Sequence, residues 1–171
     1  MALSVYLSAV NQKLLFARQL LAMLDGQTDT HKITAVAQSV AVQLYQAWHW
    51  HLQDVASNYK LADPEQVQSA AMLVELLEAD GKYPAEAMEM LNLDTDNGSW
   101  LRELIRAHGQ VYLLPVIRKA EMDVDRLPMI AVDAVAADGT LPVDWSLSQA
   151  GFWLDRMQEL VDRQRDMMVE F

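Results

Sequence analysis

The chain has no cysteine and few residues that interrupt helices, with six glycines and five prolines among 171 residues. Without cysteine it forms no disulfide and offers no thiolate as a nucleophile or zinc ligand. A hydrophobic fraction of 52% is too high, and the proline and glycine content too low, for a disordered acidic tail. We therefore expect one folded domain over residues 1–171, large enough to bury a hydrophobic core.

Acidic residues outnumber basic ones by 24 to 13, which gives a formal net charge of −11. This sign is opposite to that of a generic nucleic-acid binder or a protein of anionic membrane surfaces, so we expect neither partner. The charge is uneven, because residues 63–99 contain nine acidic residues and one basic residue. We interpret this run as a solvated outer face, and a patch for a basic partner is the alternative.

The segment 33–53 contains no Asp, Glu, Lys or Arg and is long enough for a membrane span. Its four glutamines and two histidines are too many polar side chains for a helix exposed to lipid. The first residues lack the basic start of a secretory signal. We expect a cytoplasmic protein in which this segment forms a helix enclosed by the protein itself or by an interface.

Apolar residues recur at alternating steps of three and four along three long segments, which is the spacing of helices in a bundle. Helix A is predicted over 4–24, helix B over 29–59 and helix F over 146–169. Helix B carries two such stripes side by side and is therefore the candidate central helix. The first contains Ala41, Tyr45, Trp48, Leu52, Val55 and Tyr59, and the second contains Ile33, Val36, Val40, Leu44 and Ala47.

Two shorter helices are predicted from their start signals. Asp63-Pro64-Glu65 has the composition of a helix start, so helix C is predicted from there to Gly81. Pro84 opens helix D, in which Met88 and Leu91 are expected to face inward.

The remaining segments are less regular. Helix E is predicted over 99–122, with Tyr112 and Ile117 on its apolar face and a kink or break at Gly109 or Pro115. Residues 123–145 are predicted to form an irregular ordered loop over the bundle. The fold class is therefore all-α, an antiparallel up-and-down bundle of four long and two shorter helices.

Motifs that would indicate a particular chemistry are missing from the sequence. The serine elbow, the phosphate-binding glycine loops and the Glu-x-x-His pairs of di-metal bundles do not occur. We expect no catalytic residue, no metal and no cofactor, and we incline towards a protein that is not an enzyme.

The most unusual local feature is the run Trp48-His49-Trp50-His51. In a helix Trp48 and His51 share one side, whereas Trp50 lies about 200° away from Trp48. One Trp ring is then expected in the core and the other against a second element or a partner. Packing of both rings in the core is the simpler alternative.

The segment Asn11-Gln12-Lys13-Leu14-Leu15-Phe16-Ala17-Arg18 resembles a family of small uncharacterised helical proteins of gammaproteobacteria. The resemblance also includes Tyr45, Trp48 and Leu52 and the C-terminal run 163–171. It implies a bacterial cytosolic bundle over the whole chain and supplies no activity and no catalytic residue.

Three hypotheses of function follow. The first is a non-catalytic bundle acting through protein–protein contacts or self-association, for which the uncharged helix B is the main motive. The second is a small-molecule-binding bundle with an aromatic and histidine pocket on helix B, whose candidate binding residues are Tyr45, Trp48, Trp50, His51 and Tyr112. The third and least favoured is an acid–base enzyme, for which Asp54 beside His51 is the best candidate.

Overall fold

The structure is a computed structural model that describes residues 4–114 and 142–169. This part of the chain forms α-helices and no strand, which confirms the all-α class. The helices are α1 Val5–Ala22, α2 Thr30–Asn58, α3 Ala70–Ala79, α4 Ala85–Thr95, α5 Trp100–Val111 and α6 Leu147–Val169.

The ends of the first two helices are set by local hydrogen bonds. The Ser4 side chain accepts from the backbone N–H of Leu7 and begins α1. The Asp29 side chain accepts from the N–H groups of His31 and Lys32 and begins α2. Between the two helices Gly26 adopts φ of 71°, a left-handed conformation that favours glycine. These bounds agree with the predicted helices A and B to within two residues.

Helix α2 is the central helix, since it packs against α1, α3, α5 and α6. Its residues 51–56 are all buried, whereas its first three residues are exposed. Along the middle of the helix runs a stripe of half-buried and exposed residues, of which Val36 and Trp50 also pack against the edge of the core. The predicted enclosure of this helix is thus complete only in its C-terminal third.

The predicted start of helix C is wrong. Asp63-Pro64-Glu65 leads into a single 3-10 turn, Pro64–Gln66, and α3 begins only after Ser69. The reason is tertiary, because Val67 leaves the helix in an extended conformation and is fully buried in the core. The Gln53 amide reinforces this by donating to the backbone carbonyl of Glu65 at 3.3 Å.

Two further expectations fail on the shorter helices. Met88 is exposed on α4, and the inward positions are taken by Glu86, Ala87 and Met90. Helix α5 ends at Val111, two residues after Gly109, and Tyr112 is exposed rather than on an apolar face. The predicted continuation of helix E beyond 114 and most of the predicted loop 123–145 lie outside the described residues. Residues 142–146 have no regular structure.

One hydrophobic core takes side chains from all six described helices. Its largest fully buried members include Trp153, Leu52, Leu44, Met157 and Leu104. Among the helices that the structure describes, none combines the length and apolarity required to cross a membrane.

Candidate functional site

The predicted binding residues lie at four separate places. The Tyr45 ring stacks on the His108 ring of α5, with centroids 3.8 Å apart and planes 8° from parallel. The Tyr112 ring contacts the same His108 ring edge-on, with the two centroids 5.2 Å apart. Tyr45 and Tyr112 are therefore linked through His108, a residue that the sequence did not single out.

Trp48 and Trp50 lie on opposite sides of α2. Trp48 is buried in the core, whereas Trp50 is half-buried. The Lys13 ammonium group of α1 lies 5.4 Å from the centre of a Trp50 ring. His51 is 0% exposed and belongs to a different set of contacts.

His51 is the centre of a hydrogen-bonded network between α2, α4 and α6. Its Nε2 donates to Gln164 Oε1 at 2.9 Å. Gln164 in turn donates through Nε2 to Glu89 at 2.8 Å and to the backbone carbonyl of Glu86 at 3.3 Å. Because Gln164 uses its amide nitrogen for these two bonds, its oxygen faces His51, and the proton of the neutral imidazole is on Nε2.

A second set of polar contacts connects the same region to α1. Asp54, one turn after His51, accepts a hydrogen bond from the Ser4 hydroxyl and is 1% exposed. Arg165, next to Gln164, donates to Asn11 at 2.7 Å. We call this set the polar seam, and its members are Ser4, Asn11, His51, Asp54, Glu86, Glu89, Gln164 and Arg165.

Burial dominates the electrostatics of the polar seam. It lowers the pKa of His51 to about 4, with a smaller lowering from Arg165 and opposing contributions from the Gln164 hydrogen bond and Glu89. Burial also raises the pKa of Asp54, against the Ser4 hydrogen bond and Arg165, which lower it. His51 is therefore neutral at pH 7.

The polar seam contains acid and base groups but offers no route to a substrate. A general base acts only within hydrogen-bond reach of the proton it removes. His51 and Asp54 are shielded from solvent, and both pack inside the bundle. Within residues 4–114 and 142–169, no group of three His, Asp or Glu side chains is arranged to hold a metal ion. The hydrogen bonds of the polar seam instead hold α1, α2, α4 and α6 together.

Two pockets are formed by other residues. One is a crevice of about 10 Å³ beside Tyr83, too small for a ligand. The other is an open cleft of about 510 Å³ where α5 begins, lined by Ser99, Arg102, Glu103 and neighbouring residues. Two of its charged residues are engaged, because Arg102 pairs with Asp94 and Glu103 accepts from Trp153. The third, Arg106, has a buried Nε without a partner among the described residues.

The outward side of α2 carries a stripe without charge. Its residues recur at steps of three and four and are Val36, Ser39, Gln43, Gln46 and Trp50. None of the five is buried. Helix α2 contains a single acidic residue, Asp54, and that residue belongs to the interior seam.

Helix α1 extends this uncharged surface. Phe16, Leu20 and Met23 recur at the same steps, and none of them is buried. Lys13 joins the two helices, since its ammonium group lies 5.7 Å from the Phe16 ring as well as near Trp50. Helix α1 contains no Asp or Glu. We call Phe16, Leu20 and Met23 together with the α2 stripe the neutral face.

These features define an all-α bundle with a buried polar seam and a surface without acidic residues on one helical hairpin. Residues 6–171 match a family of unknown function, DUF6586, and the chain belongs to that family. The expected resemblance to an uncharacterised family is thereby confirmed, and the family assigns no activity. No curated protein and no solved structure is significantly similar to the chain.

Proposed function

We propose that this protein works through protein–protein contact rather than catalysis, and that the neutral face is its contact surface. The observation that carries the proposal is a two-helix surface with no acidic residue, and with Lys13 between Phe16 and Trp50, on a chain of net charge −11. Charged residues are depleted at the centre of protein interfaces, whereas aromatic residues and Met are enriched there. The neutral face has this composition, with Trp50, Phe16 and Met23.

The location of the acid and base groups supports the same choice. An acid–base enzyme would need His51 or Asp54 at a surface that a substrate reaches, and both are inside the bundle. A small-molecule pocket on helix B would need its aromatic residues to converge. Tyr45, Trp48 and Trp50 instead point to different surroundings.

We further propose the cytoplasmic, bacterial setting that the family resemblance implies. Nucleic acid is not the expected partner, because a chain of net charge −11 is repelled by phosphates. The partner is therefore a protein.

Photo-crosslinking in cells of the native host tests the proposal. Met23 on the neutral face and Tyr83 beside α4 are matched positions, with exposures of 72% and 74%. Benzoylphenylalanine in place of Met23 should give covalent adducts with protein on irradiation, and the same group in place of Tyr83 should give few or none. Adducts from position 83 alone, or from neither position, would overturn the proposal.

A further inference from the structure

The α2 stripe is nearly symmetrical about Gln43. Val36 and Trp50 lie seven residues before and after Gln43, and Ser39 and Gln46 lie four before and three after. When two copies of such a helix run antiparallel about a twofold axis at Gln43, Trp50 of one copy faces Val36 of the other. Gln46 then faces Ser39, and Gln43 faces its own equivalent. An interface of this kind needs self-complementary residues, and glutamine both donates and accepts hydrogen bonds.

The α1 part of the neutral face lies beside the same axis. The Ser4–Asp54 hydrogen bond joins two short side chains and sets these residues level on the antiparallel helices. Phe16, twelve residues after Ser4, is then level with Val42, twelve before Asp54. The axis at Gln43 therefore passes close to Phe16 of both copies.

The charged residues at the ends of the stripe are also complementary. Exposed Lys32 lies eleven residues before Gln43. Glu65 lies beside Gln53, which is ten residues after Gln43, because the Gln53 amide donates to the Glu65 backbone carbonyl. The twofold axis therefore brings Lys32 of one copy near Glu65 of the other, with opposite charges.

The size of the neutral face is sufficient for a dimer. The 18 residues of α1 rise about 27 Å, and two adjacent helices are roughly 20 Å wide. The contact would then bury about 540 Å² on each copy, or about 1,100 Å² in total, which is at the low end for specific interfaces. Elsewhere the described surface carries most of its acidic residues, so two copies approach with least repulsion at this face.

We infer that the occupant of the neutral face is a second copy of this chain, bound antiparallel about a twofold axis at Gln43. This inference rests on the proposed function and names its partner. The dimer is a four-helix arrangement of α1 and α2 from both copies.

Sedimentation equilibrium of the full-length protein tests this directly. Phe16 is 38% exposed on the neutral face, and its neighbour Leu15 is 46% exposed on the flank where Asn11 and Arg18 meet α6. We expect wild type to dimerise with a micromolar dissociation constant and Phe16→Glu to weaken dimerisation about tenfold or more. Leu15→Glu should dimerise like wild type, and circular dichroism verifies that both variants are folded.

Two results separate this inference from the proposed function. A wild-type protein that stays monomeric, while position 23 still crosslinks to a different protein in cells, overturns the second copy and leaves protein contact in place. A monomer without crosslinks from position 23 overturns both. A dimer that survives Phe16→Glu but not Leu15→Glu overturns the assignment of the face.

Discussion

An ordinary surface helix has apolar residues on its inner side and charged residues on its outer side, whereas α2 has its one acidic residue on the inner side. The inner side of its last turns carries His51 and Asp54, whereas the outer stripe from Val36 to Trp50 carries no charge. Buried polar groups are costly unless they are hydrogen-bonded, and Gln164 and Ser4 satisfy His51 Nε2 and Asp54 Oδ1. His51 Nδ1 and Asp54 Oδ2 are buried without a partner among the described residues. On the outer side the amide oxygens of Gln43 and Gln46 have no partner among the described residues, and the proposed contact with another surface would account for them.

The largest expected effect is on the inner side. His51→Ala removes a fully buried ring and leaves the Gln164 oxygen without its donor. The free energy of unfolding should fall by about 2–4 kcal/mol, as measured by urea denaturation. His31→Ala, at an exposed position on the same helix, is the control and should change stability by less than about 0.5 kcal/mol. Equal losses in the two variants would contradict a structural role for the seam.

Acid should also lower the free energy of unfolding, through His51 on the inner side of α2. The pKa of His51 is about 4 in the folded protein, below about 6.5 in the unfolded chain, so the unfolded chain takes up the proton first. Stability should therefore fall between about pH 6.5 and pH 4, by roughly 3 kcal/mol from this group. The raised pKa of Asp54 acts in the opposite direction and reduces the net loss. Urea unfolding across this pH range should show a smaller loss of unfolding free energy for His51→Gln than for wild type. The same dependence on pH in both proteins would refute the assignment of this loss to His51.

The outer side should respond in association as well as in stability. Trp50→Ala should raise the dissociation constant of the dimer about tenfold or more, because an aromatic anchor is lost. Since the ring also packs against the edge of the core, we expect the monomer to lose about 2 kcal/mol of unfolding free energy. Sedimentation and urea unfolding measure the two quantities separately. A large loss of stability with unchanged association would place Trp50 in the core instead.

The smallest expected effect concerns the edge of the neutral face. Lys32→Glu and Glu65→Lys should each weaken dimerisation a few-fold, since exposed ion pairs contribute little. The double variant should recover the wild-type dissociation constant, because the two charges are exchanged across the twofold axis. Sedimentation equilibrium compares the four proteins. Additive weakening in the double variant would contradict the antiparallel arrangement.

The long helices could be predicted from sequence because local spacing and caps determine them. Alternating steps of three and four located α1, α2 and α6, and Asp29 and Gly26 marked the hairpin between the first two. The start of α3 could not be found this way. The local signal at Asp63 and Pro64 competes with burial of Val67, and only the folded core shows which one prevails.

The interior site was harder to predict, since its partners are far apart in the chain. His51 and Gln164 are separated by 113 residues, and nothing local to either one indicates the other. One signal was present: Gln164 occupies the inward position between Val161 and Met168 on α6, where an apolar residue is expected. A polar residue at a core position of a helical repeat indicates a buried hydrogen bond.

A single-cysteine crosslink tests the central claim most directly. The chain has no cysteine, so Gln43→Cys introduces one thiol at the proposed twofold axis. Packed helix axes are about 8–10 Å apart, a distance that a short bis-maleimide spans. Ala71→Cys, exposed on α3, is the control. We predict a covalent dimer from position 43 at micromolar protein and none from position 71; crosslinking from position 71 alone, or from neither position, would contradict the account.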